Sequence, residues 1–170
     1  NIGGALNLLE AARAVSSRAA KLVYVTSGGT AYGDPELIPV SESVSVRPLS
    51  PYGASKLAVE TYLPIYRKLC GLSYSIMRLA NVYGPRQNPH GEAGVVAIFA
   101  KAMLEGRSLK IFGDGKDQRD YVFIGDVIDA IFKASESERS GPFNVGTGIA
   151  TSANQIFAIL SNHCGYTKLP

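Results

Sequence analysis

Helical and strand-like segments alternate along this chain, and that alternation predicts an α/β domain built on a mostly parallel sheet. Three observations carry the prediction. The run Lys21-Leu22-Val23-Tyr24-Val25-Thr26 is short, apolar and β-branched, as a buried parallel strand is. A second such run at residues 74–79 is separated from it by a segment with a strong helix start at Ser50-Pro51. Finally, 170 residues at 46% hydrophobic supply enough apolar material for one sizeable core.

The elements follow in order. Leu6, Leu9 and Ala12, with Ala5, Leu8 and Ala11 beside them, give residues 1 to about 16 the pattern of an amphipathic helix. The strand at 21–26 leads into a loop, 27–49, rich in Gly, Pro and Ser. The next helix runs to about residue 69, with Ala54, Leu57, Ala58, Tyr62 and Ile65 expected on its buried side and Pro64 expected to kink it. After the strand at 74–79 come a Gly/Pro loop at 81–91, a helix at about 92–105 and strands at 108–112 and 121–124. A helix at 125–135, a strand at 143–145 and a helix at 152–164 complete the chain, which has no internal repeat and no low-complexity stretch. The chain opens in a helical pattern without a starting methionine, so it is expected to be part of a longer one.

The net charge of +3 comes from scattered Lys and Arg with no basic run, which argues against a nucleic-acid partner. Cys70 and Cys164 lie far apart, without metal spacing or a CxxC, and fit free thiols in a reducing compartment. His90 and His163 have no metal partner in sequence, and no metal site is expected. Nothing reaches membrane-spanning length or has the order of a signal peptide, so no membrane association and a cytoplasmic setting are expected.

In an open α/β sheet, ligands sit beyond the carboxyl ends of the strands. Tyr52 and Lys56 stand at the start of the helix between the first two strands, four residues apart and therefore on one face. A free phenol is a poor base at neutral pH, whereas a fixed ammonium beside it favours the phenolate. The two residues thus make a proton-transfer pair. The turn Thr26-Ser27-Gly28-Gly29-Thr30-Ala31-Tyr32-Gly33 follows the first strand, with glycines that permit close backbone approach and hydroxyls able to hydrogen-bond a ligand.

This turn, with Pro51-Tyr52-Gly53-Ala54-Ser55-Lys56, Arg78-Leu79-Ala80-Asn81-Val82-Tyr83-Gly84-Pro85-Arg86, Phe112-Gly113-Asp114-Gly115, Arg119-Asp120-Tyr121-Val122 and Asn144-Val145-Gly146-Thr147-Gly148, resembles the extended short-chain dehydrogenase/reductase family. Within it the chain is most similar to the NAD-dependent nucleotide-sugar epimerases and dehydratases. The resemblance implies a partial Rossmann-like, doubly wound parallel sheet whose glycine-rich half lies outside this sequence, joined to part of a small C-terminal substrate domain. Residues 1–85 would belong to the NAD-binding domain and 86–170 mainly to the substrate region, with about 120–135 returning to the first.

It also implies roles. Tyr52 would remove a sugar hydroxyl proton, assisted by Lys56, which would also bond the nicotinamide ribose. Asn1, Ser27 and Ala80 would contact NAD. Asn81 and Arg119 would hold the diphosphate of a nucleotide-diphosphate sugar, a task suited to a planar, permanently charged fork in the case of Arg119. Val95, Val96, Lys110, Ile111, Phe112 and Tyr121 would line the nucleotide pocket. From the residues alone, Asn81 could instead cap a turn, Arg119 could pair with Asp120 or Asp126, and the pocket set could be core or rim.

Relatives carry Ser or Thr where this chain has Gly28, so the hydroxyl role passes to Ser27 or Thr30, or is absent. Similar 4,6-dehydratases place Asp-Glu at the positions of Gly29-Thr30, since eliminating water needs a further acid and base. Their absence favours epimerisation at C4 of a UDP-glucose/UDP-galactose-type substrate. A dehydratase, decarboxylase or reductase of the same family is the first alternative, and a non-catalytic NAD-binding regulator or scaffold the second. The first helix and the Tyr52 helix match the family's dimer-forming pair, which suggests a homodimer.

Overall fold

The computed structural model describes residues 1–15, 21–90 and 94–170. In chain order they form α1 (Ile2–Ala14), β1 (Leu22–Ser27), α2 (Gly28–Ala31), α3 (Pro51–Cys70), β2 (Tyr74–Leu79), β3 (Asn81–Tyr83), α4 (Val95–Leu104), β4 (Gln118–Phe123), α5 (Ile124–Glu136), β5 (Gly141–Val145), β6 (Ala150–Ser152) and α6 (Ala153–Cys164). The expected end of the first helix at residue 16 and the expected start, at Glu92, of the helix that forms as α4 lie outside the described residues. The chain divides into two compact units, Asn1–Ala80 with Val127–Val145, and Asn81–Asp126 with Gly146–Pro170.

In the first unit β1, β2 and β5 pair in parallel in that order, with Ser27 level with Leu79 and Leu79 level with Val145. The carboxyl ends of all three strands therefore lie in one row. Parallel pairing requires a crossover, which the long α3 supplies between β1 and β2. That helix starts where Ser50 caps the Gly53 amide at 3.1 Å and Pro51 occupies the first turn. It stops where Gly71 takes the left-handed conformation at φ 72°. Leu9 of α1 packs with Leu63 and Tyr66 of α3 and with Leu72, Tyr74 and Ile76 to form the core on this face of the sheet.

The buried face of α3 is not the one the sequence pattern suggested. Gly53, Val59, Glu60, Leu63 and Tyr66 are buried, whereas Ala54, Tyr62 and Ile65 are exposed and Leu57 and Ala58 lie between. The two stripes are related by a rotation of about one residue, or roughly 100°. Apolar content alone favoured the wrong one, because the true stripe contains a glycine and a glutamate. Pro64 lies on the exposed face and does not end the helix.

In the second unit β3 pairs in parallel with β4, and β6 pairs antiparallel to β4. Phe99 and Met103 of α4 meet Ile156 of α6 in a second core, where Phe99 and Phe157 make an edge-to-face contact with centroids 6.4 Å apart. Ser152 and Gln155 cap α6 reciprocally. The expected strand at 108–112 is absent. Its alternation is real, since Leu109 and Ile111 pack on this core while Lys110 and Phe112 are exposed, but no neighbouring strand supplies a ladder. Conversely β3 and β6, at three residues each, are too short for a period-two pattern to reveal.

Candidate active site

The first turn of α3 emerges beside the turn that follows β1, and the contact between them is very close. A side-chain carbon on Gly53 would lie 2.6 Å from the Thr30 carbonyl oxygen and 2.9 Å from Cβ of Pro48. Only glycine lets the two backbones approach so near. Tyr52, the preceding residue, is 50% exposed, which leaves its phenol accessible to a ligand. The Lys56 ammonium sits 5.7 Å from the Tyr52 ring centroid and 5.6 Å from that of Tyr24 on β1, within cation–π range of both. The fold therefore brings together the pair singled out by its spacing.

Around them, Ser55 donates to the Tyr52 carbonyl at 2.7 Å and accepts from the Asn1 side-chain amide at 3.4 Å. Asn1 thus lies beside the first turn of α3. Ser27 ends β1 at the N-cap of the single helical turn α2, which contains Thr30, and the Thr30 hydroxyl reaches the Ser27 carbonyl at 3.5 Å. Ala80 stands at the end of β2, its amide bonded to the Val145 carbonyl at 2.8 Å. Asn1, Ser27, Thr30 and Ala80 all belong to the first unit with Tyr52 and Lys56.

Beneath this surface lies a buried charged network that sequence reasoning left without a role. The Glu60 carboxylate accepts from Nε and Nη2 of Arg78 at 3.1 and 2.7 Å. Nη1 of Arg78 donates to the Tyr32 hydroxyl at 2.8 Å, which donates in turn to Oδ1 of Asn144 at 2.7 Å. Asn144 is held from behind by the Val40 carbonyl and the Glu42 carboxylate, each at 2.8 Å. Burial alone would push the Arg78 guanidinium down, but its bonds to Glu60 and Tyr32 more than offset that and raise it. Burial, and after it the nearby Glu60 carboxylate, pushes the Tyr24 phenol above its ordinary value. A strand arginine inside an apolar run and a glutamate four residues after Lys56 were the available signals.

The remaining candidates fall in the second unit. Asn81 pairs in register with Tyr121, and Arg119 stands two residues from Tyr121 on the same face of β4. Arg119 is exposed and donates to its neighbour's carbonyl, Gln118 O, at 2.7 Å; among the described residues it makes no ion pair with Asp120 or Asp126. Asp120 instead receives the Thr147 and Gly148 amides at 3.0 and 2.8 Å. Val95, Val96, Ile111 and Tyr121 pack against the second core. Phe112 is 83% exposed, with the Lys110 ammonium 5.4 Å from its ring centroid. Among the described residues no group of His, Cys, Asp and Glu is placed to hold a metal ion, and no helix is long and apolar enough to cross a membrane.

The model of the NAD dependent epimerase/dehydratase family matches residues 1–146. The chain is 51% identical, over 171 aligned residues, to a UDP-glucose 4-epimerase of Mycolicibacterium smegmatis, covering 100% of this chain and 54% of that protein. Among solved structures, UDP-glucose 4-epimerase from Thermotoga maritima with UDP-glucose superposes with a TM-score of 0.93 at 44% identity, covering 98% of this chain and 54% of the other. The Thermus thermophilus UDP-glucose 4-epimerase in complex with NAD gives 0.87 at 44% identity, covering 96% and 54%. The chain thus spans about half the length of the relatives it matches.

Proposed function

Because the chain belongs to the NAD-dependent epimerase/dehydratase family, we propose that the whole protein epimerises a nucleotide-diphosphate sugar of the UDP-glucose/UDP-galactose type at C4. The observation that carries the reading is the Lys56 ammonium 5.7 Å from the Tyr52 ring, at the exposed start of a helix beyond the strand ends. The donor set of the first unit suits NAD: the Lys56 ammonium, the Asn1 amide and the hydroxyls of Ser27 and Tyr52 match the hydrogen-bonding needs of a ribose and a carboxamide. NAD, when bound, supplies reversible oxidation of the sugar carbon. Ala80, one residue past Leu79, which is level with the end of β1, stands at the same edge of the sheet.

Tyr52 takes the proton from the C4 hydroxyl and later returns it. Lys56 stabilises the negative charge that Tyr52 acquires in doing so, and Ser27 or Thr30 steadies the reacting oxygen. Arg119, exposed on β4 and without an ion pair among the described residues, takes the diphosphate together with Asn81, while Val95, Val96, Lys110, Ile111, Phe112 and Tyr121 bound the nucleotide. Gly29 and Thr30, where an eliminating enzyme needs carboxylates, favour epimerisation over loss of water. The outward apolar residues Leu8 of α1 and Tyr62, Ile65 and Leu69 of α3 suit a helix-pair homodimer. The free thiols of Cys70 and Cys164 suit a cytoplasmic protein.

The test is conversion of UDP-glucose to UDP-galactose by the whole protein. Tyr52→Phe should lower turnover by about 10²–10⁴-fold while UDP-sugar binding persists. A Tyr52→Phe protein with undiminished turnover would defeat the assignment.

A further inference from the structure

Arg78 and Asn144 are paired in register on adjacent strands, and Thr26 pairs with Arg78 on the other side, so one polar row crosses the sheet just before the strand ends. Glu60 of α3 reaches down to this row. Glu60 and Arg78 are 5% and 7% exposed, which places a full ion pair inside the layer between α3 and the sheet that otherwise holds apolar residues such as Leu63 and Ile76. Such a pair is a poor investment for stability, because apolar residues of similar size generally stabilise as well or better.

What the pair offers instead is direction. A planar guanidinium giving two bonds to one carboxylate oxygen fixes both the distance and the rotation of α3 over β2, where methyl packing tolerates small slips. The same guanidinium lies 5.0 Å over the Tyr32 ring and bonds its hydroxyl, so the residue that closes α2 is held to the same point. Tyr32 then ties in β5 through Asn144. Every element of the first unit that carries a candidate catalytic or cofactor residue, Asn1 apart, meets in this network: α3 with Tyr52 and Lys56, the turn with Ser27 and Thr30, and β2 with Ala80.

We propose that the Glu60–Arg78 pair, extended through Tyr32 to Asn144, is a positioning device that sets where α3 presents Tyr52 and Lys56 against the turn after β1. The proposal rests on the catalytic reading of Tyr52. Glu60 stands one helical turn beyond Lys56 and a little over two beyond Tyr52, so a slip or rotation of the helix at Glu60 is carried directly to both.

The test uses the whole protein carrying Glu60→Met together with Arg78→Met, a swap that removes both charges and keeps the volume. We expect a melting temperature near that of the unaltered protein, a kcat lowered about 10–100-fold, and a KM for UDP-glucose within about twofold. Arg78→Lys and Tyr32→Phe, which keep the charge but break the fork or its extension, should each lower kcat at least fivefold with KM unchanged, and they decide the matter if the double variant does not fold. Unaltered kcat in the folded double variant, or in both milder variants, overturns the proposal. Carbon-13-labelled tyrosine, with the Tyr52 signal identified by its loss in Tyr52→Phe, supplies a readout independent of turnover. If the unaltered protein turns over no UDP-sugar, the catalytic reading fails. A Tyr52 signal that stays fixed in all the network variants then overturns the positioning role as well.

Discussion

Gly53→Ala is a one-carbon change whose consequences for stability and for rate should separate. The new carbon would stand 2.6 Å from the Thr30 carbonyl oxygen, about 0.8 Å inside ordinary van der Waals contact, and 2.9 Å from Cβ of Pro48. Neither neighbour is the free end of a flexible side chain, so the start of α3 or the turn must move. Overpacking of this kind costs about 1–3 kcal/mol, whereas alanine is worth about 1 kcal/mol over glycine inside a helix. The net effect on stability should lie between no change and a loss of about 2 kcal/mol. The same displacement falls on Tyr52, the adjacent residue, and an error approaching 1 Å in a reacting group costs about 10–100-fold in rate. Urea unfolding and UDP-glucose turnover of the whole protein give the two numbers. Ala54→Gly, at an exposed position one residue on, costs a similar propensity without touching the turn and should keep its activity. A Gly53→Ala protein with turnover within twofold of the unaltered one would refute the idea that this close approach positions the tyrosine.

Leu63 is completely buried in the α1–α3–sheet core, so Leu63→Ala should cost about 2–5 kcal/mol in urea unfolding and leave residual activity scaling with the folded fraction. Among the described residues the buried Tyr24 hydroxyl has no hydrogen-bond partner, and Tyr24→Phe, which keeps the ring under Lys56, should be neutral or stabilising by up to about 1 kcal/mol. Since the Tyr24 phenol is raised by burial and by Glu60, the stability it contributes is fully present below its unfolded value near pH 10 and is lost as pH rises through the folded one. Tyr24→Phe should therefore flatten the fall in stability above about pH 10, and parallel pH curves for the two proteins would contradict that origin.

Much of the architecture was legible because it is local. Ser50-Pro51 marks a helix start wherever it precedes an apolar period, and residues 21–26 and 74–79 read as strands at nearly the positions where β1 and β2 form. Tyr52 and Lys56 were legible for the same reason, since four-residue spacing on a helix guarantees a shared face. What failed was non-local. The buried side of α3 was misassigned because Glu60 looks like a surface residue until Arg78, eighteen positions later in sequence, arrives opposite it. Residues 108–112 alternate correctly, yet a strand is defined by a neighbour that the sequence does not name.

The glycines of the two central motifs show how a correct local observation can carry a different physical meaning in the fold. Ser27-Gly28-Gly29-Thr30 and Tyr52-Gly53-Ala54 both suggest backbone freedom, but Gly28 and Gly53 adopt helical conformations open to any residue. Their importance is thinness. A carbon on Gly28 would lie 3.3 Å from the carbonyl oxygens of Arg78 and Leu79, at the end of β2, and one on Gly53 would meet the carbonyl of Thr30. The turn after β1 is therefore squeezed between β2 on one side and α3 on the other, with a glycine at each contact. A serine at position 28 would crowd the first contact, so the hydroxyls that remain at Ser27 and Thr30 flank the squeezed point instead of occupying it. Gly28 and Gly53 serve one packing arrangement, and the Arg78 whose carbonyl bounds it is the residue whose guanidinium bonds Glu60 of α3.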